Sequence, residues 1–364
     1  LIMLDYELSR FLLSLVLILF FSLSVGHVFS VLGLPRLIGE ICAGLILGPS
    51  LLGFFAPDLY AWIFSGFPEQ QKLLSVFYWL GLIFLMFTAG FKITTSFLRQ
   101  DFKLVGMLIS GGIVLPFIFG LLATGLFQNT LSANSVAFTL VIACASAVTS
   151  IPVITRIFLD LNMLSGRFAR IILSAAAIQD VFLWVILSVA LTIQVGQGGQ
   201  PTDFYDIGLV VAGTFFFAVV AMFMLPAILP VAGRLALKGS PDASLIGYTL
   251  LVCLILVSLA SVLQVNIIFG ALLAGVVIGR LPGARLETVK QNITNMALWF
   301  FVPIYFAMVG LQMNLPGNFE PILIFGFLLA SSLVKIASVT FAARFGDVPW
   351  RRAIDFGVPM NARG

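Results

Sequence analysis

Asp180 stands near the middle of the apolar stretch 171–194, IILSAAAIQDVFLWVILSVALTIQ, and is the one carboxylate of the chain set deep inside such a run. A charged side chain at that depth in a bilayer costs at least ~2.5–3.5 kcal/mol, so an intramembrane acid marks an ion or proton site. Lys335, within FGFLLASSLVKIASVTFAA, is the other ionisable residue at comparable depth. Desolvation favours the neutral form of each group and pairing favours both charged forms, so a proton or a competing cation can switch such a pair. A static ion pair holding helices together is the plainer alternative. Ser146, Thr149 and Ser150 lie in ACASAVTSIPV (143–153), where Pro152 removes a backbone donor from an otherwise spanning helix. Their hydroxyls can satisfy the freed backbone groups or supply oxygens to a cation; a simple proline kink is the alternative. Gln179 sits directly before Asp180, and the stretch GVPMNARG (357–364) has the same interrupted character, with Asn361 and Arg363 at its break.

These residues need a membrane around them, and the composition supplies it. Of 364 residues, 61% are hydrophobic and 9% charged, too little charge to cover the surface of a soluble domain. The apolar runs are continuous rather than alternating, which predicts an all-α polytopic membrane protein and excludes a β-barrel. The three cysteines fall inside apolar segments without metal-ligand spacing, and His27 is the only histidine. No metal cluster or nucleophile–base pair follows from this, so neither an enzyme, a resident cofactor nor nucleic-acid binding is expected. The chain starts at Leu1 and stops at Gly364 inside a motif, so it is expected to be part of a longer protein. The first apolar stretch is too long for a signal peptide and reads as a true span.

Twelve spanning segments are expected, at about 8–32, 36–54, 72–92, 102–127, 133–159, 167–195, 205–236, 244–263, 266–280, 287–311, 320–345 and, cut short, 350–364. With the N-terminus outside, fifteen basic residues between Arg36 and Arg352 fall on the cytoplasmic side and only Arg10 and Lys72 on the other. That bias predicts the orientation by the positive-inside rule. On this reading Asp180 lies roughly 20 Å along its helix from the cytoplasmic Arg167, near mid-depth.

The chain also repeats itself. SVLGLPRLIGEICAGLILG from Ser30 and SVLQVNIIFGALLAGVVIG from Ser261 share seven identities at an offset of 231 residues, and Trp79 and Gly90 recur as Trp299 and Gly310 at an offset of 220. The first copy is seven segments before the second, an odd number, so the copies run through the membrane in opposite senses. Inverted repeats with matching interrupted helices point to a secondary transporter whose ion site lies at the midplane. The predicted organisation is a first repeat at 1–195 with its break near 146–152, a linking helix at 205–236, and a second repeat at 244–364 that stops within its own broken helix.

GEICAGLILGPSLLG (39–53), VTSIPVITRIFLDLNML (148–164), SAAAIQDVFLWVILSVAL (174–191), KIASVTFAARFGDVPWRRA (335–353) and MNARG (360–364) together resemble the monovalent cation:proton antiporter superfamily. The resemblance is to the branch of Kef-type potassium/proton antiporters and plant cation/proton exchangers. It implies an antiporter fold of about thirteen helices, about twelve of them present here, with two crossed broken helices, a mobile core half and a homodimer. It implies that Asp180 takes a monovalent cation, K⁺ or Na⁺, and protons in alternation; on the residues themselves, oxygens from Thr149 and Ser150 are expected to complete the cation's shell. Gln179 occupies the position of a second acid in electrogenic sodium/proton relatives, and Lys335 matches the lysine that pairs with that acid. With Gln there, Lys335 pairs with Asp180 or stands free, and electroneutral exchange is the simpler expectation. Beyond residue 364 a cytoplasmic regulatory domain is possible. A non-transporting sensor or assembly subunit of the same fold, and a sodium-coupled organic-anion symporter, are the rival readings.

Overall fold

The computed structural model of the chain describes residues 4–92, 101–126, 136–160, 163, 166–196, 208, 212–213, 216, 220, 242–263, 265, 267–281, 283–315 and 320–362. The linking segment expected at 205–236 lies almost wholly outside the described residues, as does Arg363. Among the described residues the regular structure is helical. In chain order the helices are α1 (Asp5–Val31), α2 (Arg36–Leu47), α3 (Leu52–Phe55), α4 (Pro57–Phe64) and α5 (Gln70–Lys92). Next come α6 (Phe102–Ala123), α7 (Val136–Ala147), α8 (Ile151–Asp160), α9 (Arg167–Gly196), α10 (Asp242–Val262) and α11 (Ile267–Arg280). α12 (Ala284–Met296) runs through a π turn at Ala297–Phe301 into α13 (Val302–Leu311), followed by α14 (Pro321–Phe345) and α15 (Trp350–Met360). Among the described residues, eight helical stretches are long and apolar enough to cross a membrane, and α7 and α11 are shorter apolar helices. The protein is thus an all-α, multi-pass integral membrane protein, because a helix satisfies every backbone polar group without water.

The helix ends follow from local chemistry. Glu7 reaches back to the Leu4 N–H at 2.9 Å and opens α1. α1 closes on Gly33, whose φ is +75°, with Gly33 N donating to Ser30 O and Leu34 N to Phe29 O, and Pro35 then starts α2. α14 closes the same way on Asp347, a non-glycine at φ +68°, with Val348 N donating to Ala343 O before Pro349 opens α15. Both are left-handed helix stops followed by proline. Lys103 Nζ holds the Asp347 carboxylate at 2.6 Å.

The chain divides into two compact units, residues 1–88 with 287–321, and residues 89–286 with 322–364. In the first, α1, α2 and α13 pack together around Phe11, Leu15, Ile18, Leu47, Phe64 and Ile304. A methyl group at Gly310 would collide with the backbone of Ile41 and Leu45, and one at Gly48 with Leu311. In the second unit, a methyl at Gly90 would collide with the backbone of Leu272 and Val276, and one at Gly279 with Phe91. The offsets of 231 and 220 residues carry the first set of contacts onto the second, residue for residue. The core of the second unit runs through α6, α8, α9, α14 and α15, with Leu108, Ile154, Ile172, Val339 and Met360 buried.

Candidate ion-binding site

The site is built within the second unit. The chain leaves helix at Val148–Ser150, between α7 and α8. Pro152 stands in the first turn of α8, where its missing N–H belongs to the groups a helix leaves unpaired anyway. The break therefore precedes the proline, which starts the second half-helix rather than kinking a continuous one. α15 stops at Met360, with Pro359 in its last turn and Asn361 as its C-cap.

The two breaks meet. Ser150 N donates to Ala362 O at 2.8 Å, and Thr149 Oγ1 lies 2.9 Å from Met360 O. Thr149 Oγ1 also lies 3.1 Å from Gln179 Oε1 on α9, so one hydroxyl proton is shared between two acceptors. Gln179 is fully buried, and its Nε2 donates to Leu108 O of α6 at 3.0 Å. Gly112 makes this approach possible, since a methyl there would run into the Gln179 amide. Gln179 thus ties α6 and α9 to the first break through both ends of its amide.

Lys335, fully buried on α14, spreads its ammonium over the same break. Nζ donates to Ala147 O at 2.7 Å, to Val148 O at 2.5 Å and to Thr149 Oγ1 at 2.6 Å. The last carbonyls of α7 have no helical partner and carry the negative end of its dipole, so a cation at that end stabilises the interrupted geometry. Asp180, beside Gln179, is 5% exposed and accepts no hydrogen bond among the described residues. Lys335 is close enough to Asp180 for their charges to interact. Ser146 is buried, and its hydroxyl donates back to Ile142 O at 3.0 Å within α7.

Of the residues singled out from sequence, the structure brings Thr149, Ser150, Gln179, Lys335 and the residues flanking Asn361 into one hydrogen-bonded crossing. Asp180 lies next to it, and Ser146 lies one turn before the break. The Leu108 carbonyl and the Ala147 and Val148 carbonyls were not foreseen, being backbone groups; the Gly111-Gly112 pair was the only signal for the first. Two ion pairs near helix ends were also missed. Arg167 grips the buried Asp101 at 2.6 and 3.0 Å, and Lys103 holds Asp347.

The site thus sets a buried carboxylate of a multi-pass helical membrane protein beside two helix interruptions that meet. The chain belongs to the transmembrane sodium/hydrogen exchanger family, whose model matches residues 15–364. It is similar to Cation/H⁺ antiporter 18 of Arabidopsis thaliana, with 29% identity over 99% of this chain and 44% of that protein. It is similar to K⁺/H⁺ antiporter 1 of Saccharomyces cerevisiae (28%, covering 98% and 42%) and to a Na⁺/H⁺ antiporter of Enterococcus hirae (27%, covering 93% and 83%). The chain spans less than half the length of the plant and yeast relatives.

Proposed function

We propose that the protein exchanges a monovalent cation, K⁺ or Na⁺, for H⁺ across its membrane by alternating access, with Asp180 binding cation and proton competitively. The observation that carries this reading is a buried carboxylate that accepts no hydrogen bond among the described residues, set against the meeting point of two interrupted helices. Membership in an exchanger family supports it, as do relatives named for K⁺/H⁺ and Na⁺/H⁺ antiport.

Deprotonated Asp180 takes a dehydrated cation, with oxygens from Thr149, Ser150 and the interrupted backbone around it. Protonation of Asp180 removes the charge that holds the cation and releases it. A bare carboxylate crosses the bilayer interior poorly because of its desolvation cost, so only a loaded site moves. Competition at one carboxylate couples the two fluxes, and a single acid makes one-for-one, electroneutral exchange the simplest stoichiometry. The matching glycine contacts at offsets 231 and 220 support an inverted repeat as the source of the alternation.

The test uses the full-length protein in liposomes with an internal pH dye and a clamped membrane potential. Adding K⁺ or Na⁺ outside drives proton movement in the wild type, and Asp180→Asn abolishes it. Exchange by Asp180→Asn at the wild-type rate would sink the mechanism. Because proton and cation compete, the cation concentration giving half-maximal exchange rises as the pH falls, by up to about tenfold per pH unit once protons dominate the site.

A further inference from the structure

Most polar groups at the crossing are already used by one another. The Gln179 amide is used at both ends, Lys335 donates to three oxygens, and Thr149 both accepts from Lys335 and donates toward Gln179 and Met360. Ser150 N and Ala362 O satisfy each other. Between the two contact residues Met360 and Ala362 lies Asn361, whose Oδ1 is buried without a hydrogen-bond partner among the described residues.

A buried acceptor in that condition calls for a partner that the described residues do not supply, because nearly all such groups in folded proteins are paired. Thr340 Oγ1 is also unpartnered, but a helical hydroxyl can turn to a carbonyl one turn back in its own helix. A side-chain amide oxygen has no such recourse. It can be satisfied only by a donor or a cation, and the Ser150 N–H and the Lys335 ammonium are already engaged. Its place is at the crossing itself, between Met360, whose carbonyl meets Thr149, and Ala362, whose carbonyl meets Ser150.

From this we infer that the Asn361 amide oxygen is a direct ligand of the transported alkali cation and helps set which cation is preferred. The inference rests on the exchange reading above and adds a neutral ligand to it. Selectivity among alkali cations depends on the number and field strength of the coordinating oxygens, so exchanging or removing one neutral oxygen changes the preference. An amide does not titrate near neutral pH. Asn361 therefore contributes to holding the cation without contributing a proton site, which distinguishes it from Asp180.

The experiment titrates K⁺, Na⁺, Rb⁺ and Li⁺ at fixed pH against full-length wild-type protein and Asn361→Ala in the same liposomes. The half-maximal cation concentration is expected to rise about tenfold, and the K⁺-to-Na⁺ ratio to move by about threefold or more. Half-maximal concentrations and cation order equal to wild type overturn the inference and leave the exchange reading standing. So does an equal fall in rate for every cation at unchanged half-maximal concentration, which marks a structural amide. No cation-driven proton movement in the well-folded wild type sinks both. Where Asn361→Ala does not fold, Asn361→Asp keeps the shape and adds charge; it is expected to alter the cation order, and an unaltered order overturns the inference.

Discussion

Lys335 shows at the scale of one residue how a charge can stabilise an interruption in a helix. Its ammonium makes three hydrogen bonds to Ala147, Val148 and Thr149, two of them to carbonyls that α7 itself leaves unpaired. Lys335→Ala strips both carbonyls of their partner in a buried setting, at about 1–3 kcal/mol for each unsatisfied group. The expected result is a clear fall in the melting temperature of the detergent-purified protein; an unchanged value would remove the capping role. Gln179 makes a parallel case, since its amide joins Leu108 O to Thr149. Gln179→Leu is expected to destabilise the protein less, by about 0.5–1.5 kcal/mol per hydrogen bond lost, measured the same way, because the Thr149 hydroxyl keeps Met360 O as its acceptor. The sequence made Asp180, Lys335 and Thr149 legible because polar atoms in apolar runs are conspicuous. It could not show that Lys335 addresses backbone carbonyls, because a backbone group has no letter of its own.

At the scale of elements, the interrupted helices and the glycine contacts carry the organisation. The break at 148–150 was legible from ASAVTSIP, but its position before Pro152 was not, since the same proline fits a kink or a half-helix start. The glycines were legible as matches between two stretches of sequence; their use as backbone contact points was not. Gly310 and Gly90 occupy matching positions, each with a neighbouring backbone where a side chain would stand. Gly310→Ala and Gly90→Ala are therefore each expected to cost about 1–3 kcal/mol through overpacking. Thermal unfolding of the two variants checks this, and a large loss in one with none in the other would argue against equivalent roles.

The whole molecule adds orientation, which the distribution of charge predicts and chemical labelling can test. Arg36 pairs with Glu40 at 3.1 Å and lies over the Trp299 ring at 4.5 Å, while Lys103 and Arg167 pair with acids at the ends of other helices. All three bases belong to the side assigned to the cytoplasm. Cysteines introduced at Lys103 and at Lys72 in a background without Cys42, Cys144 and Cys253 are expected to react with an impermeant thiol reagent from opposite sides. Lys103 forms an exposed pair worth about 0–1 kcal/mol, so its replacement leaves the fold intact for the assay. Labelling of both positions from one side would overturn the assigned orientation.

Hydrophobic runs, basic-residue bias and one buried acid were enough to establish a helical membrane protein and to single out Asp180. Those features are local, because the bilayer acts as a uniform solvent and each span must satisfy its own backbone. Tertiary structure alone decided which polar groups are used up and which remain free. Gln179 and Lys335 are engaged by carbonyls of α6 and α7, 71 and 188 residues away. Asn361 Oδ1, set between Met360 and Ala362 at the same crossing, is left without a partner among the described residues. Hydrogen-bond satisfaction depends on distances and directions between segments far apart in the chain, and these exist only once the helices have packed.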